Sequence, residues 1–191
     1  MPVICTASTA PGVRLELHAS GIPASPMPAD ADGHERLPLQ TAGTAALAGQ
    51  AFGHPYFDSL PRARSRWTDP LPATAAILAA ETLAGRGVDM LSRIQRAHHL
   101  EGRAPDDLAT LRPLAADLQL PADAFAASLE SWSGTASLDH IRSSRHWMKR
   151  FGITRLPALL IEDDGAWQQI PIQRYVGRPA LWREVLETVT A

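Results

Sequence analysis

Apolar and polar positions alternate over Val13-Arg14-Leu15-Glu16-Leu17-His18, the period of a half-buried strand. Pro11-Gly12 before it reads as a turn. From Ser20 to Gln40 no period is sustained. Pro23, Pro26 and Pro28 mark this stretch as an ordered loop or a flexible flap rather than a helix, and its length makes it more than a connector. Thr41–Phe52 and Tyr56–Leu60 read as two short helices, the second ending at Pro61.

Helical spacing then dominates. Asp69-Pro70 supplies a capping Asp and a first-turn Pro for a helix running through the Ala-rich segment Ala73–Leu83 to Gly85 and Gly87. A second helix places Met90, Leu91, Ile94, Ala97, His98 and Glu101 near one stripe and stops at Gly102. Asp106 and Asp107 open a third, which Pro113 kinks or divides. Pro121–Trp132 gives a fourth, and Ser137–Phe151 a fifth closed by Gly152. Beyond that Gly the period changes. Ala158–Glu162 is an apolar strand, Asp163-Asp164-Gly165 carries a hairpin signal, and Trp167–Ile172 is the returning strand. Gly177 and Arg178-Pro179 then start an amphipathic helix through Trp182, Val185, Leu186 and Val189.

Length and charge narrow the field. The 191 residues suffice for one domain with a sizeable core and a helical insertion. Net charge is −2 and the basic residues are scattered, which argues against nucleic acid or an anionic membrane as partner. No apolar run approaches the ~20 residues of a membrane span, and Met1–Ala7 lacks the basic start and apolar stretch of a secretory signal. A cytoplasmic location is therefore expected. A single cysteine, Cys5, excludes an intrachain disulfide.

The order strand, long loop, helical block, helix, strand, hairpin, strand, helix fits several α/β folds. The particular pieces resemble the DsbA-like thioredoxin family, especially its FrnE-like cytoplasmic branch. Leu15–Ile22 is similar to the family's second strand and following loop. Thr68-Asp69-Pro70 resembles the start of its inserted helical domain, and Met90–Gly102 the next helix. Phe151-Gly152-Ile153-Thr154-Arg155-Leu156-Pro157-Ala158 resembles the approach to the family's cis-proline, with Leu156 where Thr or Val is common. Gly177 matches the Gly before the last helix. The implied fold is α/β, thioredoxin-like, with an inserted α-helical domain. Its parts are residues 1–62 and 152–191 for the thioredoxin-like domain and 63–151 for the insertion, with the N-terminal strand and helix truncated.

The resemblance implies thiol–disulfide oxidoreduction or isomerisation, with Leu156 and Pro157 binding the substrate strand and Pro157 in cis. Protein or peptide disulfides, or glutathione, would be the partners. It breaks at the front, where family members carry a strand, an Asp-Pro-x-Cys-x-x-Cys stretch and a helix. Only twelve residues precede Val13, and Cys5 falls beyond the position of the nucleophile. Exchange needs a low-pKa thiolate and a second thiol to resolve the mixed disulfide, so the chain as written should be redox-impaired. Either a start assigned too late or a truncated, inactive relative would account for this. An open sheet edge would favour a homodimer.

Two alternatives stand beside this reading. One is a kappa-class glutathione transferase or 2-hydroxychromene-2-carboxylate isomerase-like protein, with Ser8 or Cys5 as nucleophile, although neither follows a strand and opens a helix as that role needs. The other is a non-catalytic peptide-binding module. Read from the residues alone, Cys5 is first a terminal residue without a role and second a reactive thiol. Pro157 either holds a cis bond or simply begins a strand in trans. His98, His99 and Glu101 do not aim at one ion from a helix, so no metal is expected. His140 and His146, six apart, do not meet on a helix. Trp132, Trp147, Trp167 and Trp182 read as core or core-edge anchors, and Arg62, Arg64 and Arg66 as a solvated loop rather than an anion site. No cofactor is expected, glutathione being the one candidate.

Overall fold

A computed structural model describes residues 15–21, 43, 45, 49, 51–63 and 69–189. The expectations for Cys5, Ser8, the Pro11-Gly12 turn, Arg64 and Arg66, and for nearly all of the Pro-rich stretch, lie outside the described residues; no side chain is described for Arg62. Among the described residues the elements run in the order α1 His54–Ala63, α2 Leu71–Ala84, α3 Gly87–His99, α4 Leu108–Asp117, α5 Ala122–Trp132, α6 Thr135–Arg150, strands β1 Leu159–Asp163 and β2 Ala166–Ile170, a 3₁₀ turn Ile172–Arg174, and α7 Pro179–Val189.

Local chemistry sets most boundaries. The Asp69 carboxylate accepts from the Leu71 N–H at 2.9 Å and so begins α2. At its other end Gly85 takes φ 64°, and the N–H groups of Gly85 and Arg86 donate to the carbonyls of Glu81 and Ala80. Asp107 caps α4 by accepting from the Ala109 N–H at 2.9 Å. Positions 43 and 45 are helical, and Gly49, at φ 64°, together with the non-helical residues 51–53, cuts the expected Thr41–Phe52 helix short.

The core lies in the helical block. α2 is at its centre, packed against α3, α4, α5 and α6. Ala73, Ala75, Ala76, Ala79 and Ala80 are buried and let the neighbouring helices approach closely. Met90 and Ile94 of α3, Leu111 and Leu114 of α4, and Phe125 and Leu129 of α5 fill the space around them. Backbone contact ties α1 to the end of α3: the Gly53 N–H donates to the His99 carbonyl at 2.8 Å. A Cβ on Gly53 would collide with the Leu100 carbonyl, and one on Gly102, at φ 67°, with that of Pro55.

Three expectations are corrected here. Helix α1 starts at His54 and runs through Pro61 to Ala63, because a proline removes one i→i−4 bond without ending the remaining turn. Pro113 neither ends nor divides α4; Leu111 and Leu114 on either side of it are fully buried and hold the helix together. The expected Val13–His18 strand forms no ladder over its described part. Its alternation persists as burial, Leu15 and Leu17 half-buried and Glu16 and His18 exposed, but pairing needs a neighbouring strand, and the described sheet is β1 with β2 alone.

The hairpin follows its signal closely. β1 and β2 are antiparallel with Asp163 opposite Ala166. Asp164 and Gly165, at φ 47° and 82°, fill the two left-handed positions of a tight primed turn. The return strand ends at Ile170, before the expected Ile172, because Pro171 lacks an N–H for the ladder and leads into the 3₁₀ turn.

Candidate functional site

Helix α6 delivers the chain to the site. At its C-terminus the Gly152 N–H donates to the Lys149 carbonyl at 3.3 Å and the Ile153 N–H to the Met148 carbonyl at 2.8 Å, with Gly152 at φ 62°. The chain turns sharply there and runs through Thr154, Arg155 and Leu156 into β1. The Leu156–Pro157 peptide bond is cis. Thr154, Arg155 and Leu156 are exposed, Leu156 by 46%, and none of the three has a backbone hydrogen bond among the described residues. Their N–H and C=O groups are thus available to an extended segment laid beside them.

An aromatic group flanks this turn. Trp147 stacks on Phe151 at 5.5 Å, Trp167 of β2 approaches Trp147 at 4.7 Å, and the Arg150 guanidinium lies 5.3 Å from the Trp147 ring and 5.2 Å from that of Phe151. Trp167 is 39% exposed, so it stands further out than the core-edge anchor expected. Trp132 is such an anchor: it packs against the helical core and its indole N–H donates to Thr82 Oγ1 at 2.9 Å. Trp182 meets Tyr175, and its indole N–H is buried without a partner among the described residues.

A second cluster joins residues 15–21 to α6. The Ala19 N–H donates to His140 Nε2 at 3.1 Å, the Arg145 Nε–H donates to the Ser20 carbonyl at 2.9 Å, and the His18 ring stacks on that of His140 at 5.9 Å. As an acceptor, His140 must be neutral. Burial above all, and then the neighbouring His18, holds its pKa below the usual value, against an opposing pull from Glu16. His146 is not part of this cluster. No local pattern signals the contact, since Ala19 and His140 are 121 residues apart.

His98 and His99 sit with Phe52 and Tyr56 rather than in an ion site. Their rings are 5.0 Å apart, and Tyr56 meets both edge-on. Burial, and then His98 beside it, pushes His99 down to about 4, so it packs as a neutral ring. Its Nδ1 is buried without a partner among the described residues. Among the described residues no three His, Cys, Asp or Glu side chains are grouped to hold a metal ion. A polar cleft of about 360 Å³ opens on α3, but its Arg93 is already paired with Glu101 at 2.8 Å and Asp117 at 2.9 Å.

No family model and no curated protein matches the chain. Among solved structures it is similar to the cytosolic disulfide reductase DsbM from Pseudomonas aeruginosa, with 40% identity and a TM-score of 0.83 over 93% of this chain and 84% of that one. A structure of DsbM with GSH gives 39% identity and 0.81 over 93% and 85%. The chain belongs to the DsbA-like thioredoxin-fold family of disulfide oxidoreductases. A protein from Nitrosomonas europaea described as a protein disulfide isomerase shares the fold at 18% identity and a TM-score of 0.65, over 83% of this chain and 78% of that one. The DsbA-like assignment explains the architecture: a helical block set between an early extended segment and a terminal hairpin and helix. Among the described residues no helix is long and apolar enough to cross a membrane.

Proposed function

We propose that the chain takes part in thiol–disulfide exchange in the cytoplasm as the part that holds a substrate strand, with protein disulfides or glutathione as the molecules held. The observation that carries this reading is the turn itself. Three consecutive residues, Thr154 to Leu156, offer backbone unpaired among the described residues, beside the cis bond at Pro157, and an incoming strand could bond there as at a sheet edge. Similarity to DsbM, a cytosolic disulfide reductase also solved with GSH, supports the same chemistry and location.

Exchange itself needs more than a groove. A thiolate attacks one sulfur of the disulfide, the other sulfur leaves as a thiolate, and a second thiol must resolve the mixed disulfide that remains. The 191 residues bring one thiol, Cys5, and no C-x-x-C pair. The purified chain should therefore reduce insulin disulfides no faster than glutathione does alone. Robust turnover that survives Cys5→Ser would overturn this reading.

A further inference from the structure

From His140 to Ile161 the chain contains no Asp or Glu, while Arg142, Arg145, His146, Lys149, Arg150 and Arg155 all fall within it. The first four are spaced i, i+3, i+4 and i+7, so α6 gathers them on one face, and all four are exposed. Basic residues that read as scattered along the sequence thus form a stripe on a molecule of net charge −2. Two are engaged: Arg142 pairs with Asp139, and Arg145 holds the Ser20 carbonyl. Lys149, Arg150 and Arg155 form no ion pair among the described residues.

The stripe runs into the aromatic group. Arg150 covers Trp147 and Phe151, Trp167 adjoins them, and Leu156 stands exposed just beyond. Tryptophan and arginine are the side chains most often found at the energetic centres of interfaces, and unpaired cations beside them select partners by charge. We propose that this end of α6 docks an acidic segment of a protein substrate, its carboxylates on Lys149, Arg150 and Arg155 and an aromatic side chain against Trp147, Phe151 and Trp167. The inference builds on the proposed function, because docking there would bring a substrate's disulfide to the Leu156–Pro157 turn. From Arg142 to Lys149 the stripe spans about 10 Å, enough for a few carboxylates of a peptide but short for tracking a nucleic-acid backbone, and the rest of the molecule repels polyanions.

The test uses a cysteine-free, fluorescein-labelled peptide of alternating Glu and Phe, its Lys-for-Glu twin, and a single-stranded DNA of equal charge, each titrated against the full chain by fluorescence anisotropy. Because the peptide has no sulfur, failure of the redox reading leaves this result untouched. The acidic peptide should bind, its twin should not, and affinity for the wild-type chain should fall as salt is raised. The triple variant Lys149→Glu, Arg150→Glu, Arg155→Glu should bind about tenfold more weakly or worse, whereas Arg112→Glu on α4 should change nothing. Equal binding of the two peptides, salt-independent affinity in the wild-type chain, or tighter binding of the DNA than of the acidic peptide would each overturn the proposal. All three of these readouts are made on the wild-type chain, so misfolding of the triple variant does not rescue it.

Discussion

The helical block and the hairpin with α7 are built from similar proportions of apolar residues but differ in what they bury. Between Ala73 and Leu129 fourteen apolar side chains form one core, several with no exposed surface. After Ser144 the buried side chain among the described residues is Ile170; Leu159, Leu160 and Ile161 of β1 are only half-buried, and most of β2 is exposed. Among the described residues the hairpin and α7 contribute one buried side chain, too little for a core of their own. Stability therefore resides in the block, and the surface left open for binding resides at the turn that follows it.

The largest effect that can break this contrast is a pair of truncations. Phe125→Ala in α5 should cost about 3–5 kcal/mol of unfolding free energy, while Leu160→Ala in β1, whose side chain is only half-buried, should cost about half as much or less. Denaturant titration of both variants checks this. Equal losses would mean that the hairpin shares a core with the block.

A smaller effect sharpens the same contrast at the seam between α6 and residues 15–21. His140 accepts the Ala19 N–H only when neutral, and the groups around it are His18, Glu16, the edge of Trp132 and, one turn along α6, Arg145. Its pKa is lowered in the docked state, so docking is fully stable above the ordinary histidine value of about 6.5 and weakens as pH falls below it toward the lower docked value. Hydrogen exchange at the Ala19 amide should show protection at pH 8 that declines on acidification. In His140→Gln, which keeps an acceptor and cannot titrate, protection should not change across that range; a decline in this variant would assign the effect to another group.

Much of the fold was legible because its signals are local. Asp69 and Asp107 cap helices, Gly85 and Gly152 end them in left-handed conformations, and Asp164-Gly165 turns a hairpin. These depend on neighbours a few residues away. Pro61 and Pro113 misled for the same reason: a proline argues locally for a break, but the lost hydrogen bond is outweighed when side chains such as Leu111 and Leu114 are buried on both sides. Leu15 to His18 shows the strand period without a strand, since a ladder requires a partner that no local pattern guarantees. The site divides likewise. Leu156 and Pro157 are proposed from their motif, whereas the basic stripe reads as scattered cations along the sequence and gathers only at the helical spacing of α6. The His140–Ala19 contact and the Trp147–Trp167 approach arise only when distant segments fold together.

The most direct test of this account is amide hydrogen exchange over the whole chain with and without excess insulin as the disulfide-bearing ligand. The account predicts added protection confined to residues 154–163 and the end of α6, with α2 to α5 unchanged. Protection that appears in the helical block while residues 154–163 exchange as before would contradict it.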